Sequence, residues 1–366
     1  VPPDDILVEI NTSDTLNNLN DSQIAPKNRP LRISVIVPYH DAAETIGAVL
    51  ASLSVGDYPD FEIICINDYS TDDSASIVCG FDVRHASLLK PSGAAIARNL
   101  GASMATGEIL LFIDADVEVT QRTLAIIAGA FERDPVLSAC FGSYTPLPVP
   151  RNFASVYKNL VHHYTHQNSE IKAHTFWCGC GAVKRDVFEK IDGFDESYTA
   201  ASVEDIELGY RLSGEGYRIR LIKSAQVRHA KRYSLLSLIR SDIFHRAVPW
   251  TMLMARKNVF YADLNLRPEN VVSALILMLF LPLSIAATHF FMLEMAYFVP
   301  VIVIAGYLFL NRKIFAFARR TTGFFFGLKF IAMYTATYLY SAIGFMLGIL
   351  LYIGEKTRLF VSRTGK

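Results

Sequence analysis

This chain has no surplus of either charge: lysine and arginine number 35, and so do aspartate and glutamate. A protein that binds nucleic acid carries a basic excess, so no nucleic-acid partner is expected. Cysteine is scarce. Cys65, Cys79, Cys140, Cys178 and Cys180 make an odd count of 5, which argues against a disulfide framework. Cys178-Gly179-Cys180 has no second pair to complete a zinc site, so packed thiols are expected there. The first residues lack a basic stretch followed by an apolar core. No secretory leader is read, and the first domain is expected on the cytoplasmic side. Numbering begins at Val1, so the start can lie inside a longer precursor or a trimmed chain. Nor does a glycine-rich basic loop follow the first strand. Pro38-Tyr39-His40-Asp41-Ala42 stands there instead, which sets aside a nucleotidyltransferase.

What is present is unevenly spread. The 366 residues suffice for one large domain or two of ordinary size. Residues 1–30 are polar and rich in asparagine, and read as a disordered lead-in. From about residue 270 the chain is overwhelmingly apolar, so the 51% hydrophobic content averages over two solvents.

Between these ends lies an α/β pattern. Leu31–Val37 reads as a strand ended by Pro38, Ala42–Ser54 as a helix, and Phe61–Ile66 as a second strand. Ser70–Val78 and Ala94–Ala105 read as helices, and Ile109–Ile113 as a buried parallel strand. Polar residues cluster after the strands, where open α/β sheets bind ligands. Asp114-Ala115-Asp116 sits at such an end. Two carboxylates so spaced can hold a hard divalent cation, which in turn can hold a diphosphate. The plain alternative is a capping aspartate beside a solvated one. Leu137–His229 reads as mixed strands and loops that shape an acceptor side, with a strand at Tyr217–Val227 just before His229.

Leu235–Leu264 mixes large apolar residues with Arg240, Arg246, Arg256 and Lys257. This suits helices lying in a membrane interface, or else an ordinary core-facing helix pair. Val271–Leu293, Met295–Leu310 and Phe330–Ile353 are three candidate spans, the first two a tight hairpin around Glu294. The loop Arg312, Lys313, Arg319 and Arg320 then faces the cytoplasm, as the positive-inside rule requires. The basic tail Lys356, Arg358, Arg363 and Lys366 would fall outside, against that rule, unless the third segment re-enters or breaks.

Four segments in order carry a resemblance. They are Ser34-Val35-Ile36-Val37-Pro38-Tyr39-His40-Asp41, Ile66-Asn67-Asp68-Tyr69-Ser70, Ala97-Arg98-Asn99-Leu100-Gly101 leading to Asp114-Ala115-Asp116, and Val203-Glu204-Asp205. Together they resemble the family 2 glycosyltransferases over about Leu31 to Arg232. The resemblance implies a GT-A (Rossmann-like) nucleotide-sugar-binding domain over 31–232. Interfacial helices over 233–269 and a transmembrane region over 270–366 would follow. It implies a nucleotide-sugar donor, UDP- or GDP-linked, and Mg²⁺ or Mn²⁺. Pro38, Tyr39, His40, Asp68, Arg98 and Asp114 would bind the donor, with Asp68 accepting from a base N–H. Asp116, with Asp114 and His229, would serve the metal. Asp205 would be the general base and Glu204 would orient the acceptor, beside Trp177 and Gly179. His40 stands where the family usually has Tyr, Asp41 and Asn67 where it has Asn and Asp, and Tyr69 where it has Gly.

The reaction so implied is inverting sugar transfer to a lipid-linked or glycan acceptor by a multi-pass protein of the cell membrane. A processive polysaccharide synthase of the family usually carries Gln-x-x-Arg-Trp, which Phe244–Trp250 lacks. Sugar transfer to a polyprenyl phosphate needs no strong base, so Glu204-Asp205 argues against it. A non-catalytic membrane scaffold or transport component is opposed by both intact acidic motifs.

Overall fold

The structure, a computed structural model, describes residues 29–199, 202–259, 261, 267–291 and 298–364. The polar lead-in, the turn at Glu294 and Lys366 lie outside the described residues. By contacts the chain forms two units. One is Val1–Val149 with Glu170–Lys231, and the other is Pro150–Ser169 with Arg232–Lys366.

The first unit is a mixed α/β sheet. In chain order it holds β1 (Ile33–Tyr39), α1 (Ile46–Ser54), β2 (Phe61–Asn67), α2 (Ser74–Cys79), β3 (Arg84–Ser87), α3 (Ala94–Met104), β4 (Ile109–Ile113), β5 (Val117–Glu118), α4 (Thr123–Arg133) and β6 (Leu137–Tyr144). The chain leaves for α5 (Phe153–Asn168) and returns as β7 (Lys172–Ala173), β8 (Cys180–Lys184), α6 (Arg185–Lys190), α7 (Glu204–Gly214) and β9 (Arg218–His229). Sheet order is β3-β2-β1-β4-β8-β6-β9-β5, with β7 also paired to β9. β1, β2, β3 and β4 pair in parallel; β8 is antiparallel to both β4 and β6.

β1 and β4 are buried along their whole length because helices and loops cover both faces, which is why they read as unbroken apolar runs. Ile46, Val49, Leu50 and Leu53 put one stripe of α1 into that core. β1 continues through Pro38 to Tyr39, two residues beyond the expected end at Val37. Pro38 lies past the last β1–β4 pair, Ile36↔Phe112, so its missing N–H breaks no bond on that side. α1 and α2 start four residues later than expected, after polar turns tied together by Ser70, Asp72 and Ser74. The run 137–229 is more regular than its spacing implied, because β6, β8 and β9 pair with strands far away in sequence.

The second unit is helical. A continuous run comprises α8 (Leu235–Arg240), a π-helical stretch Ser241–Ala247 and α9 (Val248–Lys257). There follow α10 (Pro268–Leu275), α11 (Leu281–Phe291), α12 (Phe298–Leu310), α13 (Arg312–Thr322) and α14 (Phe324–Thr364). Two helical stretches are long and apolar enough to cross a membrane, Pro268–Ala287 and Phe324–Arg358. The expected middle span differs. α12 has 13 residues, about 20 Å at 1.5 Å per residue and short of the ~30 Å of a hydrocarbon core, and it is bent 61° from α13. Among the described residues the count is therefore two, or three if the bent pair is one span.

α5 belongs with these helices, although 150–169 lies inside the stretch expected to form one domain. Phe153 and Tyr157 pack on Phe326 and Phe330, 5.0 and 5.1 Å between ring centroids, and the Tyr157 hydroxyl meets Thr337 at 2.6 Å. The helix at 235–257 packs on α14 through small residues. A Cβ on Gly344 would lie 2.6 Å from the Ala247 Cβ, and one on Gly348 2.7 Å from the Thr251 Cβ. Two glycines four apart facing Ala247 and Thr251 let the two backbones approach closely, the helix contact favoured in apolar solvent.

Gly348→Val should wedge α9 from α14. The melting temperature of the detergent-solubilised protein should fall by about 3 °C or more, the size expected for overpacking by ~1–3 kcal/mol. An unchanged melting temperature would show that this seam does not hold the helices.

Candidate active site

The site is built on the carboxyl edge of the parallel strands of the first unit. Phe112 near the end of β4 packs among Phe188 and Phe194, with centroids at 5.5 and 5.1 Å, which fixes where the chain leaves the sheet. The Val117 N–H donates to the Asp114 carbonyl at 3.0 Å, closing a turn that presents Asp114 and Asp116. Short β5 then pairs antiparallel with the end of β9, Val117 opposite His229.

Arg98 ties the motifs together. It lies on α3 and is only 5% exposed. One guanidinium nitrogen donates to Glu204 Oε1 at 2.9 Å and the other to Asp114 Oδ1 at 2.9 Å. Its guanidinium also sits 5.4 Å from the centre of the Phe194 ring. Glu204 is 4% exposed, and its second oxygen accepts the Ser202 N–H at 2.7 Å. Glu204 thus holds Arg98 with one oxygen and the backbone with the other. Orienting an acceptor would have to use the lone pairs that these two donors leave. The acidic residues Glu204, Asp205 and Glu207 occupy the first turn of α7, where the helix dipole favours negative charge.

Asp205 stands next to this hub without sharing its bonds. Its carboxylate accepts the Cys178 N–H at 3.3 Å and the Ile206 N–H at 2.8 Å. Burial, and then the neighbouring Glu204 charge, push its carboxyl up to about 7, against the pull of Arg98. A carboxylate with such a value is a far better proton acceptor than an ordinary aspartate.

Asp116 has a different environment. Its carboxylate lies 3.8 Å from His229 Nε2 and 4.0 Å from Lys231 Nζ. Burial opposes its charge, yet the neighbouring His229 and Lys231 hold it below the usual carboxylate range. His229 is the last residue of β9, not a residue beyond it. Its ring stacks on Tyr144 at 4.4 Å, and Tyr144 meets Trp177 edge-on at 4.8 Å. A Cβ on Gly179 would fall 2.2 Å from the Trp177 ring, so glycine there makes room for the indole.

Asp116 and His229 offer a hard cation one carboxylate and one imidazole, and leave positions for diphosphate oxygens. Such a donor set fits Mg²⁺ or Mn²⁺. The expected three-residue set does not converge. Asp114 is drawn to Arg98, and no group of three histidine, cysteine or acidic residues comes together among the described residues.

The nucleotide-side residues divide in the same way. Asp68 is 9% exposed and accepts Ser92 N–H at 2.7 Å and Gly93 N–H at 2.9 Å, so it anchors the loop entering α3. Each oxygen keeps a second lone pair, and a base N–H can use only those directions. Gly93 has φ +96°, and a Cβ there would lie 2.6 Å from the Thr199 carbonyl oxygen. Tyr39 is 4% exposed and packs in the core. Its carbonyl accepts the Asp68 N–H at 2.8 Å, which ties the end of β1 to the donor-side turn. Pro38 is buried in β1. His40 is exposed, with Nδ1 2.7 Å from the Asp68 carbonyl oxygen.

Lys231, Tyr144, the Cys178 N–H and the Ser92–Gly93 pair were not found in the sequence. Lys231 alone left a signal, two residues beyond His229 and so on the same side of an extended chain.

These features define an α/β domain of the GT-A fold. Residues 34–192 match the family described as Glycosyl transferase family 2. The chain is similar to an uncharacterized glycosyltransferase, YibD, of Escherichia coli. The two are 38% identical over 96 residues, 25% of this chain and 28% of that protein. It is also similar to validoxylamine A glucosyltransferase of Streptomyces hygroscopicus subsp. jinggangensis, 28% identical over 223 residues, 50% of this chain and 52% of the relative. The chain thus covers about half or less of these two relatives' lengths. In fold it resembles a mannosyltransferase from Pyrobaculum calidifontis solved with GDP-Man and Mn²⁺. The TM-score is 0.53 at 19% identity, covering 89% of this chain and 90% of that one.

Replacing Arg98 by Met should leave Glu204 as an unpaired buried carboxylate and take the partner from the half-buried Asp114. A loss of about 3–5 kcal/mol of unfolding free energy is expected, the usual result of removing one partner from a buried ion pair. Lys, a point donor that cannot fork to both carboxylates, should recover only part of it. Denaturant titration of the three proteins tests this, and a Met variant as stable as the parent would contradict it.

Proposed function

We propose that this chain is an inverting, metal-dependent glycosyltransferase. It moves a sugar from a UDP- or GDP-linked donor to a hydroxyl of a membrane-held, lipid-linked acceptor. The observation that carries this reading is the pair of unlike carboxylates on one sheet edge. Asp116 is held ionised beside His229 and Lys231, while Asp205 is pushed up to about 7. Environments that separate two carboxylates in this way assign them different tasks.

Asp116 and His229 would hold a divalent cation, which supplies charge to the departing diphosphate when bound. Lys231 adds a further cation at the same place. Asp68 and His40 would receive the nucleoside, with Arg98 and Asp114 supporting the donor side. Asp205 takes the proton of the acceptor hydroxyl as its oxygen attacks the anomeric carbon from the face opposite the diphosphate. Inversion follows from that single in-line displacement. Trp177 and Tyr144 would line the acceptor side. The apolar stretches Pro268–Ala287 and Phe324–Arg358 support a membrane location and, through it, a lipid-linked acceptor; the basic run Arg312, Lys313, Arg319 and Arg320 favours the cytoplasmic side for the first unit.

The direct test is a screen of nucleotide sugars with membranes and extracted lipids, with and without Mn²⁺. Metal-dependent incorporation into the lipid fraction is expected. Turnover unaffected by chelator would overturn the metal, and product found only on soluble sugars would overturn the lipid acceptor. Asp116→Ala should abolish transfer while the protein stays folded.

Asp205→Asn should keep donor affinity and lose about 10²–10⁴-fold in turnover, the scale of one general base. In the parent enzyme kcat/KM should rise with pH and level off with a midpoint near 7, since the base acts when ionised. The stability effect has the opposite sign. A carboxyl raised in the folded state loses stability as pH climbs from its unfolded value towards 7, so the Asn variant should gain stability relative to the parent at pH 8. A donor affinity that collapses while turnover survives would move Asp205 to the donor site.

A further inference from the structure

Tyr69 follows Asp68 at the carboxyl end of β2, and its backbone is left-handed, with φ +59°. Four non-glycine residues have positive φ among the described residues: Asp41, Tyr69, Asp192 and Asn258. Three of them are Asp or Asn, whose short polar side chains tolerate this region. Tyr69 has no such relief, and its Cβ meets the full steric penalty.

The surrounding bonds force the conformation. Asp68 N–H is tied to the Tyr39 carbonyl at 2.8 Å, and its carboxylate to Ser92 and Gly93. On the other side Ser70 N–H is tied to Asn67 Oδ1 at 2.8 Å, and the Ser70 hydroxyl accepts the Asp41 N–H at 3.1 Å. The strained residue is therefore clamped from both neighbours. Among the described residues nothing is gained in return. Tyr69 is 46% exposed, and its ring and hydroxyl make no ring contact or hydrogen bond with any described residue.

Strain of this kind collects at ligand clamps, where a held geometry is part of recognition. Here it holds a large aromatic side chain in solvent next to a buried carboxylate acceptor. His40, the other exposed ring at this turn, is fixed by its contact with the Asp68 carbonyl. An acceptor and two exposed rings suit a flat heterocycle with N–H groups at its edge.

We propose that Tyr69 is a donor-binding residue that stacks on the nucleobase of the nucleoside diphosphate. This rests on the nucleotide-sugar reading above. Every base has a π-face, so Tyr69 supplies affinity for whichever nucleoside is bound, and Asp68 supplies the choice among bases.

The test uses the full chain in detergent, titrated calorimetrically with UDP, GDP and inorganic pyrophosphate, each with Mn²⁺. Tyr69→Gly removes the ring and relieves the backbone together. It should fold normally and bind the preferred nucleoside diphosphate about 5- to 100-fold more weakly, the range for one base–aromatic stack. Pyrophosphate, which has no base, should bind the variant and the parent alike. Tyr69→Phe keeps the ring and should hold affinity for the nucleoside diphosphate within about threefold of the parent, because the π-face carries the contact. Unchanged nucleotide affinity in Tyr69→Gly, or an equal loss for pyrophosphate, would overturn the stacking role alone. A parent protein that binds neither UDP nor GDP would overturn the nucleotide-sugar reading and this inference with it.

Discussion

A guanidinium taken out of water needs anions, and Arg98 finds two. Its contacts with Asp114 and Glu204 bring three distant parts of the chain to one point: the middle of α3, the exit of β4 and the start of α7. A buried ion pair is not in itself a strong source of stability, since desolvation offsets much of the attraction. Its value here is positional. With Asp114 on one nitrogen, the following turn carries Asp116 to β9. With Glu204 on the other, Asp205 is set beside the Cys178 N–H. Loosen that cation and both functional carboxylates lose their reference.

The two carboxylates then diverge by environment. Asp116 has an imidazole and an ammonium beside it, whereas Asp205 has mainly apolar burial and a like charge. One is suited to holding positive charge and the other to taking a proton. Chemistry that separates a diphosphate from a sugar while activating a hydroxyl needs both. The second unit is built on different terms: its helices meet through glycine, alanine and hydroxyl groups, and it exposes Phe290, Ile302, Phe325 and Leu350 over broad faces. Those are the terms of a lipid solvent.

Much of the sheet could be read in advance because β1 and β4 are buried along their whole length, β2 along its last four residues, and all three are mostly apolar. Asp68, Asp114, Asp116, Glu204 and Asp205 could be read because each closes such a strand or opens a helix. Other features had no local signal. β6, β8 and β9 pair across gaps of about forty residues or more, and α5 looks like any polar-faced helix until its partners Phe326, Phe330 and Thr337 arrive from the far end of the chain. The partners of Glu204 and Tyr39 also had no local signal, because sequence shows which groups are present, not which lone pairs and ring faces are already occupied. α12 reads as a span by composition; its bend into α13 depends on packing that no window of residues encodes.

The most direct test of the central claim is a crystal or cryo-electron-microscopy structure of the full chain with Mn²⁺ and the nucleoside diphosphate of its preferred donor. Manganese should bridge the Asp116 carboxylate, His229 Nε2 and the diphosphate, with Arg98 still bound to Asp114 and Glu204 and Asp205 left open to an acceptor. Manganese held by Asp114 after it abandons Arg98, or a diphosphate bound away from Asp116 and His229, would contradict it.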